Sequence, residues 1–225
     1  MPPTYSDYLC LPELLGQLRP RSAAHDELLF ITVHQACELW FRQILAELTD
    51  ARDDMLAGES YSPRLRLRRC HLIERMLAGH FDVLDTMSPS DFLQFRDALG
   101  SASGAQSAQF HRIERISSRT TREPTLWDGF LAVLTKAGFA VDTRADRCAT
   151  FREIATNRAD HEVLWELAEA LVDHDQAWSM FRQRHLHTVE RQIGHKPGTA
   201  GTRGAQALGG RGHFFPELWE LRSTL

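Results

Sequence analysis

The sequence predicts an all-α fold, and three observations predict it. Apolar residues recur at three- and four-residue spacing along almost the whole chain, alternation of the strand kind is scarce, and helix start and stop signals recur between the periodic stretches. With 225 residues and no evident boundary, one domain spanning 1–225 is expected.

Residues 1–20 read as an N-terminal arm carrying a short helix over Leu11–Leu18, closed by Arg19-Pro20. The next helix, His25–Leu56, opens on acidic residues suited to a positive helix end and stops near Gly58. Its apolar residues, among them Phe30, Val33, Leu39, Trp40, Phe41 and Ile44, wrap most of its circumference, which predicts a central place in a bundle. A third helix covers Ser62–Asp85. Ser88-Pro89-Ser90-Asp91 then has capping-box spacing with proline at an early position, and starts a short helix over Phe92–Leu99.

The stretch Gly100–Ser107 (GSASGAQS) is a turn of small residues in which backbone can approach a ligand. Helices over Ala108–Ser117, Leu126–Ala137, Arg144–Asn157 and His161–Ile193 complete the set, the last long enough to leave room for a break near Asp173. Residues 194–212 hold seven glycines and no apolar periodicity, while Phe214, Phe215, Leu218 and Trp219 return the chain to apolar character. A glycine-rich segment tethered at both ends is a candidate lid.

A net charge of −4, with 25% charged and 43% hydrophobic residues, is ordinary for a globular protein and argues against a nucleic-acid partner. The arginines at 64, 66, 68 and 69 are best read as a solvated helix start. Cys10, Cys37, Cys70 and Cys148 show no metal or disulfide spacing, so free thiols in a reducing cytoplasm are expected. No apolar run approaches the ~20 residues of a membrane span, and the first residues lack a signal-peptide pattern. The expectation is therefore neither export nor embedding.

Two histidines carry the chemistry. His185 shares a helical face with Trp178, Phe181 and Val189; His34 lies one turn after Phe30 and one turn before Glu38 in the most apolar helix. A lone histidine on an apolar face is most often a satisfied core residue, and on spacing alone His187 or His195 could serve in place of His185. Two imidazoles facing each other across an apolar slot nevertheless suggest a haem pocket, with one ring on the iron and the other able to hold a polar substrate atom. Arg96, beside Phe92 and Phe95 and next to the small-residue turn, suits bidentate capture of a carboxylate. The segment HKPGTAGTRG lacks the phosphate-loop pattern and follows a helix rather than opening one, which excludes that reading.

Five stretches in order, YSDYL (5–9), HDELLFITVHQACELWFRQIL (25–45), SPSDFLQFRDALGSASGAQSAQF (88–110), RHLHTVERQIGHKPGT (184–199) and FFPELWELR (214–222), resemble the tryptophan 2,3-dioxygenases. The resemblance implies a helical bundle around haem b, with His185 as proximal iron ligand and His34 as the distal histidine that receives the indole N–H. It implies that Arg96 clamps the substrate carboxylate, that Thr199 meets the amino-acid head group, and that Phe30, Phe92 and Gly104 line the pocket. Tyr5, Tyr8 and Leu9 match a segment that enters a neighbouring subunit's pocket, which implies a homotetramer. The implied reaction joins O₂ to the indole C2=C3 bond of L-tryptophan or a substituted tryptophan, opening the ring to an N-formylkynurenine. The alternatives kept beside it are mono-oxygenation to an oxindole in a biosynthetic pathway and a non-catalytic haem sensor.

Several positions depart from the family pattern. Ala105 stands where a phenylalanine is usual, leaving more room by the pocket, and Ala200, Thr202 and Arg203 alter the usual glycine-rich loop. The chain is also shorter than most members between about Val141 and His161.

Overall fold

The computed structural model describes residues 2–119, 121–199 and 212–225, and every described element is helical. In chain order they are α1 (Tyr5–Tyr8), α2 (Leu11–Leu15), α3 (His25–Leu56), α4 (Tyr61–Leu84), α5 (Pro89–Phe95), α6 (Ala108–Ser117), α7 (Leu126–Lys136), α8 (Arg144–Thr156), α9 (Glu162–Ile193) and α10 (Pro216–Leu221). Short 3-10 turns cover Arg96–Leu99 and Gly104–Gln106.

The long helices α3, α4 and α9 make the frame. α4 lies between the other two, α6 and α7 cover the opposite side of α3, and α8 and α10 close over the first half of α9. Their shared core is dry: Ile44 and Leu48 of α3, Leu67 and Leu77 of α4, Ile113 of α6, Phe130 of α7 and Trp178 of α9 are almost wholly removed from solvent. Each such side chain contributes about 1.5–3 kcal/mol of transfer free energy. α7 crosses α3 closely because Gly129 has no side chain; a Cβ there would sit 2.9 Å from that of Met55.

Side-chain caps set several boundaries. Ser88 accepts from the Asp91 N–H at the start of α5, and Thr125 and Thr143 form reciprocal capping boxes with Asp128 and Asp146 at α7 and α8. α3 has no side-chain cap. Instead the Glu27 carboxylate accepts from the Arg21 and Ser22 N–H groups and the Ser22 hydroxyl, which folds the preceding segment against the helix start.

The structure corrects four expectations. The helix expected over Leu11–Leu18 ends at Leu15, and a separate turn of helix, α1, precedes it. The helix expected over Phe92–Leu99 starts at Pro89 and tightens to 3-10 geometry from Arg96 onward. α9 runs unbroken through Asp173, because polar partners from α4, α6 and the C-terminal segment meet its polar residues. α3 is central, but Leu39 and Trp40 remain exposed on a face that no other described helix of this chain covers. Among the described residues no helix is long and apolar enough to cross a membrane.

Candidate functional site

A cavity of about 450 Å³ opens between α3, α4, α9 and the α5-to-α6 connection. One wall carries His34 and another carries His185, and a smaller apolar recess of about 90 Å³, lined by Val33, Cys37, Phe41, Phe110 and Phe181, also touches both rings.

The His34 ring is fixed by its own helix. Its Nδ1 lies 2.8 Å from the Phe30 carbonyl oxygen, which only accepts, so Nδ1 carries the hydrogen. Burial holds the ring below the ordinary histidine pKa against the raising influence of that carbonyl and of Glu38, so it is neutral at pH 7. In the neutral ring Nε2 then bears a lone pair, an acceptor for a ligand N–H. The Phe30 ring packs against it at a tilt, centroids 4.0 Å apart, and is itself braced by Phe92 and Phe95.

His185 is held differently. Its ring packs 5.4 Å from Phe81, and its Nδ1 is buried with no hydrogen-bond partner. Burial, with a smaller contribution from His34, lowers its pKa to about 4. An imidazole kept neutral at pH 7 in an apolar cavity has the free lone pair that iron coordination needs. His187 and His195 are exposed and do not line the cavity.

At the mouth, Arg96 and Thr199 tie the start of the glycine-rich loop to the α5-to-α6 connection. Arg96 Nη2 donates to the Pro197 carbonyl at 2.6 Å and the Thr199 hydroxyl donates to the Ala102 carbonyl at 2.5 Å. Phe92, Gly104 and Ala105 also line the cavity. A Cβ added to Gly104 would meet nothing within 4 Å, so the space in front of it is free for a ligand. These features fit a planar, largely apolar group such as haem: an apolar slot, one neutral imidazole, His185, that would hold the iron, and open space at a glycine.

The structure thus brings together Phe30, His34, Phe92, Arg96, Gly104, Thr199 and His185 around one cavity. Tyr5, Tyr8 and Leu9 are not part of it; they sit on the arm, the two tyrosines each 77% exposed. Of the expected lid over 194–212, residues 200–211 lie outside the described residues, and with them Ala200, Thr202 and Arg203. Sequence reasoning missed Met87, Thr188 and Gln192, which also line the cavity. Thr188 and Gln192 could have been found by stepping three and seven residues onward from His185 along its helical face.

A family model described as tryptophan 2,3-dioxygenase matches residues 2–123 and 132–225. The chain is similar to the tryptophan 2,3-dioxygenase of Nocardioides sp., with 44% identity covering 99% of this chain and 94% of that protein. It is similar also to those of Caulobacter vibrioides, at 37% over 99% and 98% of the two chains, and of Bacillus thuringiensis subsp. konkukian, at 35% over 99% and 92%.

Proposed function

This chain belongs to the tryptophan 2,3-dioxygenase family and is an oxidoreductase acting on the indole ring of tryptophan; we propose that it works through haem b carried by His185. The observation that supports this reading best is the pair of neutral imidazoles, His34 and His185, on the walls of one apolar cavity. Haem bound there supplies the activation of O₂ that no side chain provides.

The remaining work belongs to the chain. His34, with its hydrogen fixed on Nδ1, accepts the indole N–H at Nε2 and so orients the C2=C3 bond. Arg96 receives the substrate carboxylate, and Thr199 meets the amino-acid head group. For both, ligand binding means sharing or releasing the Pro197 and Ala102 carbonyls they now hold, which couples substrate capture to the position of the loop start. Phe30, Phe92 and Gly104 shape an apolar slot that keeps water from the reacting bond. Orientation of this kind is worth several kcal/mol of barrier, of the order of 7 kcal/mol when the reacting atoms are well aligned. The product is the ring-opened N-formylkynurenine.

We further place the enzyme in the cytoplasm as a homotetramer, in which the exposed arm bearing Tyr5, Tyr8 and Leu9 enters a neighbouring copy's cavity. The single domain spans 1–225, with residues 194–212 covering the substrate.

His185→Ala tests the cofactor: the purified variant is expected to lose haem and its Soret band, and retention of both would overturn the assignment. Arg96→Ala is expected to keep the haem spectrum while weakening tryptophan binding roughly tenfold or more, the loss of a charge-assisted pair. Turnover under ¹⁸O₂ should place two labelled atoms in the product; one label in an intact bicycle would mean mono-oxygenation instead.

A further inference from the structure

Glu74 of α4, Ser117 of α6 and His174 of α9 meet where their helices cross, and all three are 0% exposed. None of them lines the cavity. His174 Nδ1 lies 2.7 Å from Glu74 Oε1, and its Nε2 lies 2.8 Å from the Ser117 hydroxyl oxygen.

Counting hydrogens fixes what this cluster holds. The Ser117 hydroxyl has a single hydrogen and donates it to the Ile113 carbonyl at 2.9 Å, which only accepts. The contact between Ser117 and His174 then takes its hydrogen from Nε2. Nδ1 and Glu74 Oε1 need a second hydrogen between them, carried by either atom. Glu74 and His174 therefore hold one hydrogen more than an ionised glutamate and a neutral imidazole would, and their net charge is zero. The opposite arrangement, with Ser117 donating to a bare Nε2, leaves the hydroxyl and the Ile113 carbonyl 2.9 Å apart with no hydrogen between them. It also buries an uncompensated carboxylate. Among the described residues Glu74 has no ion-pair partner other than His174, and its Oε2 is buried with no hydrogen-bond partner. A lone buried charge of that kind is strongly disfavoured.

The titratable groups nearby do not supply the missing charge. On α4, burial holds the Cys70 thiol well above its usual range, so it is neutral, and His71 is bonded to the Asp173 carbonyl. Glu114 of α6 pairs with Arg182 of α9 at 3.4 Å, and Asp175 of α9 lies 3.6 Å from His213 of the C-terminal segment.

We propose that Glu74 and His174 keep their extra proton through neutral pH, which makes the crossing of α4, α6 and α9 a lock that alkali opens. In the unfolded chain a histidine sheds its proton above about pH 6.5. The folded pair keeps it beyond that point, so the stability it adds is complete below about 6.5 and is lost as pH rises, the unfolding constant growing about tenfold per pH unit. Other buried groups act outside this window. His34 and His185 are held low and act below it, while the raised thiols of Cys37 and Cys70 act only above about 8.5.

The test is chemical unfolding of the full-length, haem-loaded protein between about pH 6.5 and 8.5, wild type beside Glu74→Gln, a neutral amide of the same shape. Relative to the variant, the wild-type unfolding constant is expected to rise about tenfold per pH unit. Parallel profiles overturn the inference, whatever slope they share. If Glu74→Gln does not fold, ¹⁵N NMR of the wild type in its diamagnetic carbon monoxide complex decides within the same window. A hydrogen on Nε2 of His174 is expected, and a bare Nε2 overturns the inference.

Discussion

Two histidines on α9, one wholly buried and one half-buried, meet opposite fates, and the contrast separates structure from function within one helix. His174 is wholly buried, and both of its nitrogens are matched: Nδ1 lies 2.7 Å from Glu74 Oε1 and Nε2 lies 2.8 Å from the Ser117 hydroxyl. The ring also stacks on Phe214. Three turns on, His185 has an orphaned Nδ1 and faces a cavity. Buried polar atoms are almost always partnered. Where the chain supplies both partners, the residue holds the fold. Where it supplies none and leaves space, as at His185, the position suits the ligand-holding role proposed above. The neighbouring Asp175 also holds the fold, its Oδ2 accepting from the Trp219 indole N–H at 2.8 Å and the Phe215 N–H at 3.3 Å, while its Oδ1 and the Trp178 indole N–H are left without partners.

The largest expected effect would break this contrast directly. His174→Ala should destabilise the apoprotein by about 3–5 kcal/mol, as for a buried pair left with one member. His185→Ala should cost the apoprotein only about 1 kcal/mol or less, because no polar partner of His185 in the chain is lost. Chemical denaturation of both variants without haem checks this. Equal losses would mean that the two rings play the same part.

A smaller effect sharpens it. Asp175→Asn turns a carboxylate that accepts from two donors into an amide, and is expected to cost about 2 kcal/mol. Trp219→Phe, which removes a single donor, should cost about half as much. Limited proteolysis should then cut near His213 sooner in Asp175→Asn than in wild type, since that carboxylate fastens the returning segment to α9.

The smallest effect is a dependence on acid. Burial pushes the Glu217 carboxyl up, but hydrogen bonds from Arg147 and Arg119 outweigh it and hold the group below its usual 4.5. Asp85 is likewise held low, against burial, by Arg184 and Thr188. For a group whose folded pKa is depressed, the stability it adds is present above the unfolded value and is lost as pH falls through the folded one. Unfolding midpoints should therefore drop once pH goes below about 4.5, and Glu217→Gln should flatten that slope by about 1 kcal/mol. An unchanged slope would show that α10 is not fastened by this cluster.

Much of this was legible in the sequence. The starts of α3, α7 and α8 follow from acidic first turns and Thr-x-x-Asp caps, and the ends of α4 and α9 fall within a residue of their expected positions. Phe30, His34, Arg96 and His185 share a cavity because each stood on an apolar helical face. The turns α1 and α10 escaped notice, since four to six residues carry no readable periodicity. The break expected near Asp173 does not exist for a reason that only long-range contacts reveal: the Asp173 carbonyl also accepts from His71, and the next two residues are tied to α4, α6 and the C-terminal segment. Glu74 escaped too, because a glutamate flanked by arginine reads as solvated until α9 is laid across it.

The unbroken course of α9 restricts where this molecule tolerates changes in length. Each residue added to a helix turns everything beyond it by about 100° and advances it by about 1.5 Å. A single insertion between His185 and Gln192 would swing the latter out of the cavity wall and carry the loop start that follows away from Arg96. Growth or loss of sequence is harmless only off this rod, in connections such as the one from α7 to α8 whose ends are capped independently.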